Sequence, residues 1–449
     1  METNLTQGGV FKNILRFSLP YLLSYFLQTL YGLADLFIIG QFEGVASTTA
    51  VSIGSQVMHM LTVMLVGLAM GATVTIGQAV GAGSRERAST ATGNTVTLFM
   101  ALSVVLMALL LALVGPIVSV MSTPEQAVAG TRAYLIVCFI GIPFVTAYNI
   151  ISSIFRGLGD SKTPMYFVAA ACVANIVLDY LFIGAMHLGP TGAALGTTLS
   201  QAFSVVLSLI VIRRKQLDIA PRRHDFRPQR EVMGRLLRIG VPVALQDGLI
   251  QVAFIVITII ANRRGLTDSA AVGIVEKFIS FVFLVPSSML STVSALGAQC
   301  IGAGKQDRAL QTLRYALLIA GGFGVVIAVV IQFIAGAVVG LFTSDAAVIA
   351  AGAPYLRGYI LDCTLAGVHF CFSGYFCACG RSELSFLHNV LAVIFVRVPG
   401  AYLTSTYFPT TLLPMGLATA GGSMLSVIIC LIAFACLRRK AKRTAQPVA

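Results

Sequence analysis

The sequence predicts an all-α membrane protein whose twelve transmembrane helices form two lobes of six. Apolar segments of roughly 20 to 25 residues recur along the whole chain, the length that a helix needs to cross about 30 Å of hydrocarbon. The 449 residues are 57% hydrophobic and only 10% charged, against about a quarter charged in soluble domains. Transmembrane strands would alternate polar and apolar residues, and this pattern is absent.

The apolar segments divide evenly around one polar stretch. In chain order, we expect spans near residues 15–39, 50–76, 92–119, 130–154, 165–187 and 191–212, and then near 239–262, 271–297, 312–341, 350–376, 385–407 and 415–437. The polar stretch between the sixth and seventh spans is rich in Arg and Pro, as expected of a linker between two domains. The predicted domains are an amino-terminal lobe (1–212), a basic linker (213–237), a carboxyl-terminal lobe (238–437) and a basic tail (438–449).

An internal repeat supports two matched lobes. The segment Gln78–Ala88 resembles Gln299–Ala309 at an offset of 221 residues, and each contains a Gly-Ala-Gly turn. Six spans per half is an even number, so both halves enter the membrane in the same sense. This parallel repeat predicts a pseudo-twofold axis along the membrane normal and a substrate cavity between the lobes.

The basic residues indicate how the chain is oriented. Of 30 Lys and Arg residues, 24 fall in loops or termini on one predicted side of the membrane, including the linker and the tail. The positive-inside rule then places both termini on the cytoplasmic side of a bacterial-type plasma (inner) membrane, with lipid headgroups as partners of the charge. The net charge of +13 therefore does not indicate nucleic-acid binding.

Neither the cysteines nor the histidines form a recognisable reactive pattern. Most of the nine cysteines lie inside apolar spans, and Cys377 and Cys379 have no further ligand at metal-binding spacing. The four histidines within or beside spans accompany no nucleophile or metal motif; they are His59, His187, His369 and His388. We therefore expect no disulfide framework, no metal site of this type, no cofactor and no enzymatic activity.

An amide and an acid lie in the otherwise apolar fifth span. Asn175 and Asp179 are four residues apart and therefore share one face of a helix. Placing a carboxylate at the centre of a membrane helix costs about 2.5 to 3.5 kcal/mol on insertion scales, and such residues usually face a cavity or a bundle interior. At the 221-residue offset, Val396 and Gly400 occupy the corresponding places in the second half.

The first span carries a second intramembrane acid. Gln28, Tyr31 and Asp35 are spaced so that all three lie on one helical stripe. Pro20, fifteen residues before Asp35, removes a backbone hydrogen bond and offers a place to bend. We interpret Pro20 as a hinge.

Further polar residues on the fourth and sixth spans could complete a buried chamber. They are Tyr134, Asn149 and Ser152 on the fourth span and Thr197 on the sixth. An alternative is that these groups only form hydrogen bonds between helices, each worth about 0.6 to 2 kcal/mol. For the two aspartates we favour a coupling-ion site, because neighbouring buried carboxyls can share a proton. The oxygens of Asp35, Asn175, Asp179 and Thr197 would also suit Na⁺, so both ions remain open.

The chain resembles the multidrug and toxic compound extrusion (MATE) family of antiporters, and more closely its DinF-like branch. The resemblance rests on Leu15–Pro20, the paired Gly-Ala-Gly loops, the loop Phe155–Pro164 and the two-lobed layout. It implies export of organic cations in exchange for H⁺ or Na⁺ by alternating access. It also implies ion coupling at Asp35, Asn175, Asp179 and Thr197, with Gln28, Tyr31, Tyr134 and Asn149 in the substrate cleft and Pro20 bending during transport.

The carboxyl-terminal lobe departs from the other main branch, which carries a sodium-binding glutamate on its seventh helix. Here Asp247, Glu276, Asp362 and Arg397 form a possible polar network, which we interpret as structural, with a second ion or substrate contact as the alternative.

A flippase for a lipid-linked precursor is the rival function. It would need a cationic cavity, whereas the aspartates favour cationic substrates. We expect the antiporter to act as a monomer.

Overall fold

The structure is a computed structural model that describes residues 5–215 and 221–445, apart from the side chains of 215 and 440–445. Within these residues the regular structure is helical, without strands. Eleven helices are long and apolar enough to cross a membrane, and a bent pair supplies a twelfth span. The predicted fold class is therefore confirmed, and the chain is a multi-pass membrane protein.

The helices follow the predicted order, and six precede the linker. The first half contains α1 (Val10–Phe42), α2 (Val45–Gly81), α3 (Arg85–Val120), α4 (Glu125–Ile140 with Ile142–Gly157), α5 (Lys162–Ala185) and α6 (Gly189–Lys215). The second half contains α7 (Arg230–Asn262), α8 (Leu266–Gly302), α9 (Gln306–Gly340), α10 (Ala346–Ala378), α11 (Ser382–Tyr407) and α12 (Leu413–Ala445). Several helices begin earlier than the apolar runs indicated, because a helix does not have to stop at the edge of the hydrocarbon.

The fourth span is bent, which its apolar pattern did not indicate. Its two segments meet at Gly141 and differ in direction by 48°. Pro143 follows in the first turn of the second segment and has no N–H to donate, which weakens the helical ladder at this point. A side chain at residue 141 would meet Thr198 of α6 at 2.7 Å, so the bend also brings α4 close to α6.

The packing of the described residues divides the chain into two units. The first unit contains Leu15–Ala244 and Gly302–Gly304, and the second contains Gln7–Ile14, Leu245–Ile301 and the chain from Lys305 onward. The first unit thus ends inside α7, whereas the sequence placed the end of the linker at residue 237. Residues 216–220 of that linker and the end of the basic tail lie outside the described residues. The predicted lobe boundaries remain predictions.

Each unit has its own apolar core. In the first unit, α2 packs against α3, α4 and α6, and α5 packs against α6. Ile39, Leu135, Phe139 and Ala194 are among its fully buried side chains. In the second unit, α10 packs against α8, α9 and α12.

The repeated Gly-Ala-Gly segments form matching turns. Gly83 follows α2 with φ of 71°, and Gly304 follows α8 with φ of 73°. A side chain is strained in this left-handed region, so glycine suits both positions. The tight turns predicted for this repeat are confirmed.

Candidate ion and substrate site

The four predicted ion-coupling residues lie together in the first unit. Asp35, Asn175 and Asp179 are at most 3% exposed. The Thr197 hydroxyl donates a hydrogen bond to Asp35 Oδ2 at 3.2 Å, and the Asn175 side chain also lies beside Asp35. Three helices, α1, α5 and α6, therefore contribute to one polar cluster in an otherwise apolar bundle.

The carboxyl groups of Asp35 and Asp179 lie against each other. They are close enough to form a hydrogen bond if one carboxyl carries a proton. Among the described residues, nothing donates a hydrogen bond to either oxygen of Asp179 or to Asp35 Oδ1. No ion pair within that part of the chain includes these two acids. Because two buried negative charges repel each other, this pair requires a proton or another cation.

The local backbone holds Asp179 at this position. The α-helical part of α5 ends at Asp179, and one π-helical stretch follows at Tyr180–Ala185. Such π turns are often found at functional sites. On α6, a Cβ atom added to Gly196 would lie 2.0 Å from Asp179 Oδ1, so the absence of a side chain there makes room for the carboxyl.

Two predicted cleft tyrosines lie near the acid pair. Tyr31 and Tyr134 both lie within electrostatic reach of Asp35. Tyr134 is 2% exposed, and its ring packs on Gly54 of α2, where an added Cβ would lie 2.3 Å from the ring. Tyr31 is partly exposed and Tyr134 is buried, so the two rings place aromatic surface near the acids.

The other predicted cleft residues are placed differently. Gln28 and Ser152 both lie near Tyr148, and the buried Ser152 hydroxyl has no hydrogen-bond partner among the described residues. Asn149 Nδ2 donates to the Val145 carbonyl of its own helix at 2.8 Å. The amide of Asn149 thus stabilises its own helix. No described hydrogen bond joins Asn149 to Asp35 or Asp179.

Two polar residues that sequence reasoning missed lie among these groups. Gln201 is buried beside Tyr31, and its Oε1 has no hydrogen-bond partner among the described residues. It follows Thr197 by four residues, so the same helical-face argument could have found it. Tyr148 lies near Gln28 and Ser152, and because it precedes Ser152 by four residues, the same argument could have found it.

The predicted hinge residue lies inside an uninterrupted helix. Pro20 is an interior residue of α1, and the hydroxyl of Ser24 donates to its carbonyl at 2.9 Å. The next residue, Tyr21, accepts a hydrogen bond from Arg156 Nη1 at 3.3 Å, and the guanidinium lies 5.1 Å from the ring centroid. Arg156 of the loop Phe155–Pro164 therefore touches α1 directly beside Pro20.

The same loop also ends α4 and begins α5. Gly159 has φ of 87°, which permits the turn. Asp160 then accepts hydrogen bonds from the backbone N–H groups of Lys162 and Thr163, both at 3.0 Å. Its carboxylate satisfies otherwise unpaired donors at the start of α5. The glycine and aspartate of this motif therefore have structural roles.

The predicted polar network of the second unit forms in part. Arg397 on α11 makes a short charge-assisted hydrogen bond to Asp362 on α10, and the Asp362 side chain is fully buried. Glu276 accepts a hydrogen bond from Thr258 at 3.2 Å and lies within electrostatic reach of Arg397. Asp247 interacts electrostatically with Cys377 and has no described contact with the other three.

Because Asp362 is buried with Arg397 as its counter-ion, we expect Arg397→Met to destabilise the protein. Removing one member of a buried pair typically costs about 3 to 5 kcal/mol. The double variant Arg397→Met with Asp362→Asn removes both charges and should recover part of that loss. Thermal unfolding of the purified protein measures the difference. If the double variant is no more stable than Arg397→Met alone, the two charges are not coupled.

The fold of this chain closely matches that of solved transporter structures. A multidrug resistance MATE family transporter of the MOP superfamily, solved in an outward-facing conformation, superposes with a TM-score of 0.91 at 23% identity. The match covers 99% of each chain. A MATE structure in a straight conformation gives the same TM-score and identity over 98% of this chain and 99% of that one. At this identity, the likeness shows the fold.

Curated relatives match over most of their length. The chain is 28% identical over 410 residues to YoeA of Bacillus subtilis strain 168, named as a probable multidrug resistance protein, covering 90% of this chain and 88% of that one. It is 24% identical over 405 residues to the multidrug export protein MepA of Staphylococcus aureus strain MRSA252, covering 90% and 89%.

One family model matches both halves of the chain. The MatE model covers residues 20–181 and again 242–403. The correspondence of Asn175 and Asp179 to Val396 and Gly400 stays a prediction. Because two copies of one model account for most of the sequence, the chain belongs to the MatE family.

Proposed function

We propose that this protein is a secondary active antiporter that exports organic cations in exchange for H⁺ or Na⁺. Membership of the MatE family supports transport rather than enzymatic catalysis. The similarity to YoeA, a probable multidrug resistance protein, and to MepA, a multidrug export protein, supports multidrug export in particular. No cofactor other than the coupling ion is required by this function.

The observation that carries the proposal is the contact between the carboxyls of Asp35 and Asp179. An acid pair buried without a basic partner binds a cation whenever it is sealed from water. If the pair gives up that cation on the inner side, its negative charge attracts a cationic substrate. If it takes up a cation on the outer side, its affinity for the substrate falls. Competition for one site thus couples the two flows.

Two coupling ions are compatible with this geometry. A single proton between the facing carboxyls would create the missing hydrogen bond without any rearrangement. Sodium would instead use oxygens that lack hydrogen-bond donors in the described structure, from Asp35, Asn175 and Asp179, together with the Thr197 hydroxyl. The proton is our first candidate because only the proton satisfies the pair as it stands, and sodium is the second.

The hinge would connect ion binding to the opening of the transporter. Pro20 and Asp35 lie on the same helix, so a change in charge at Asp35 acts on a helix that can bend. Arg156 holds α1 beside the proline, and release of that contact would accompany bending.

We place the protein in a bacterial-type plasma membrane with both termini on the cytoplasmic side, on the basis of the positive-inside rule. The protein acts as a monomer among lipids.

We expect Asp35→Asn and Asp179→Asn each to abolish ion-driven efflux, because neither variant retains an exchangeable acid pair. Dye efflux from proteoliposomes under separately imposed pH and sodium gradients measures the effect and identifies the coupling ion. Glu125→Gln is the matched control, since Glu125 is an exposed acid in the first turn of α4. Unchanged efflux in both aspartate variants would contradict the proposal.

We expect Pro20→Ala to reduce transport more than it reduces the amount of folded protein in the membrane. Alanine restores the backbone donor and stiffens α1, so the helix bends less readily. Efflux rate per molecule of folded transporter is the appropriate measurement. Pro116→Ala, at an interior proline of α3, is the control. Equal losses of efflux and folded protein would make Pro20 a structural residue only.

A further inference from the structure

The described part of the linker is fixed to α3. We call residues 221–229 the strap; its single helical turn spans Arg223–Phe226. Asp225 within it is 2% exposed. Its Oδ1 accepts a hydrogen bond from the Thr90 hydroxyl at 2.9 Å, and its Oδ2 accepts one from the Arg222 backbone at 2.7 Å. One buried carboxylate therefore both folds the strap and attaches it to α3.

A second side chain of α3 fixes the strap backbone. Asn94 is fully buried, and its Nδ2 donates to the carbonyl of Asp225 at 3.0 Å, while its Oδ1 accepts from the Gln229 backbone at 2.7 Å. At Gly93, an added Cβ would lie 2.4 Å from the Asp225 carbonyl oxygen. The strap thus lies directly on the α3 backbone, and it holds a defined conformation instead of behaving as a loose tether.

The strap lies at the edge of the apolar part of α3. Residues 85–97 of this helix are mainly small or polar, whereas 98–120 are almost wholly apolar. The apolar part is about 34 Å long at a rise of about 1.5 Å per residue, which matches the thickness of the hydrocarbon layer. The Thr97 hydroxyl donates to the Phe226 carbonyl at 2.9 Å. Phe226 therefore lies at the boundary between the polar and the apolar part of α3.

The outer face of the strap combines one aromatic ring with several cations. Phe226 is 39% exposed although it is a large apolar side chain. Arg222, Arg223 and Arg227 are all exposed around it. Arginine binds phosphate oxygens through a planar fork of donors, and basic residues near an anionic surface contribute about 1 kcal/mol each. Phe is one of the side chains that interfacial segments bury at the boundary between headgroups and acyl chains.

We propose that the strap is a binding site for the headgroups of anionic phospholipids in the leaflet that faces the basic loops. The ring of Phe226 enters the acyl-chain boundary, and the three arginines bind lipid phosphate. The Asp225 and Asn94 contacts are positioning contacts that hold this face at the correct depth. Because α7 begins at Arg230, directly after the strap, a bound lipid also anchors the start of that helix.

Purified full-length protein in detergent provides the test, with thermal unfolding followed as phosphatidylglycerol or phosphatidylcholine is added. We expect phosphatidylglycerol to raise the Tm more than phosphatidylcholine does. The variant R222Q/R223Q/R227Q should lower the apparent affinity for phosphatidylglycerol by about tenfold or more. The charge-matched control R314Q/R438Q/R439Q, made at exposed arginines outside the strap, should retain the wild-type affinity.

Two further variants distinguish a specific lipid site at the strap from general attraction between a basic protein and anionic lipid. F226S keeps every charge and should still weaken the effect of phosphatidylglycerol. D225N makes the protein more positive, yet it should also weaken binding, because an amide has a single acceptor oxygen and cannot accept from both the Thr90 hydroxyl and the Arg222 N–H. The proposal is overturned if both triple variants lose affinity equally, if D225N binds more tightly, if inorganic phosphate reproduces the stabilisation, or if the wild type does not distinguish the two lipids.

Discussion

The contact between the carboxyls of Asp35 and Asp179 is the constraint on which the account of the first unit depends. An acid buried in a membrane helix is costly, and two in contact are costlier, since each raises the energy of the other's charge. The surrounding structure accommodates the pair without neutralising it: Thr197 donates one hydrogen bond, Gly196 leaves space, and α5 changes to a π-helical turn directly after Asp179. Among the described residues, no basic side chain pairs with the two acids. The acid pair is therefore available to an exchangeable cation.

In the second half of the chain, a buried acid is neutralised by a basic side chain. There Arg397 forms a short ion pair with the buried Asp362, so this acid has a counter-ion supplied by the chain itself. The two halves thus differ in how a buried acid is neutralised, since the second carries its own cation and the first must take one from solution. This difference supports ion exchange in the first unit and a structural role for the ion pair in the second.

The sequence predicted the elements of the site better than their contacts. Helical spacing placed Asn175 and Asp179 on one face and aligned Gln28, Tyr31 and Asp35, because these relations lie within one helix. The contact between Asp35 and Asp179 joins helices 144 residues apart in the sequence, and spacing carries no information about it. The resemblance to a known family supplied that link.

Other features depended on packing that a hydropathy pattern does not encode. The bend of α4 could have been suspected from Gly141 and Pro143, but neither its 48° angle nor the closeness of Gly141 to Thr198 can be read from a hydropathy pattern. Asn149 carried the same kind of signal as Asn175, yet it bonds to its own helix. Composition predicted a basic linker between two domains, and it did not indicate that residues 221–229 of this linker pack on α3 through the buried Asp225. The one available signal was an acidic residue, Asp225, within a basic segment. The overall composition of the linker does not show this signal.

The central claim is that the coupling ion and the substrate compete for the Asp35–Asp179 pair. The most direct measurement is the affinity of the purified protein for a fluorescent organic cation, titrated at a series of pH values and sodium concentrations. Once the coupling ion exceeds its own dissociation constant, we expect substrate affinity to fall about tenfold for each tenfold rise in ion concentration, because one ion must leave for each substrate bound. This dependence should persist in Glu276→Gln and disappear in Asp35→Asn and Asp179→Asn. Retention of the full dependence in both aspartate variants would contradict the account.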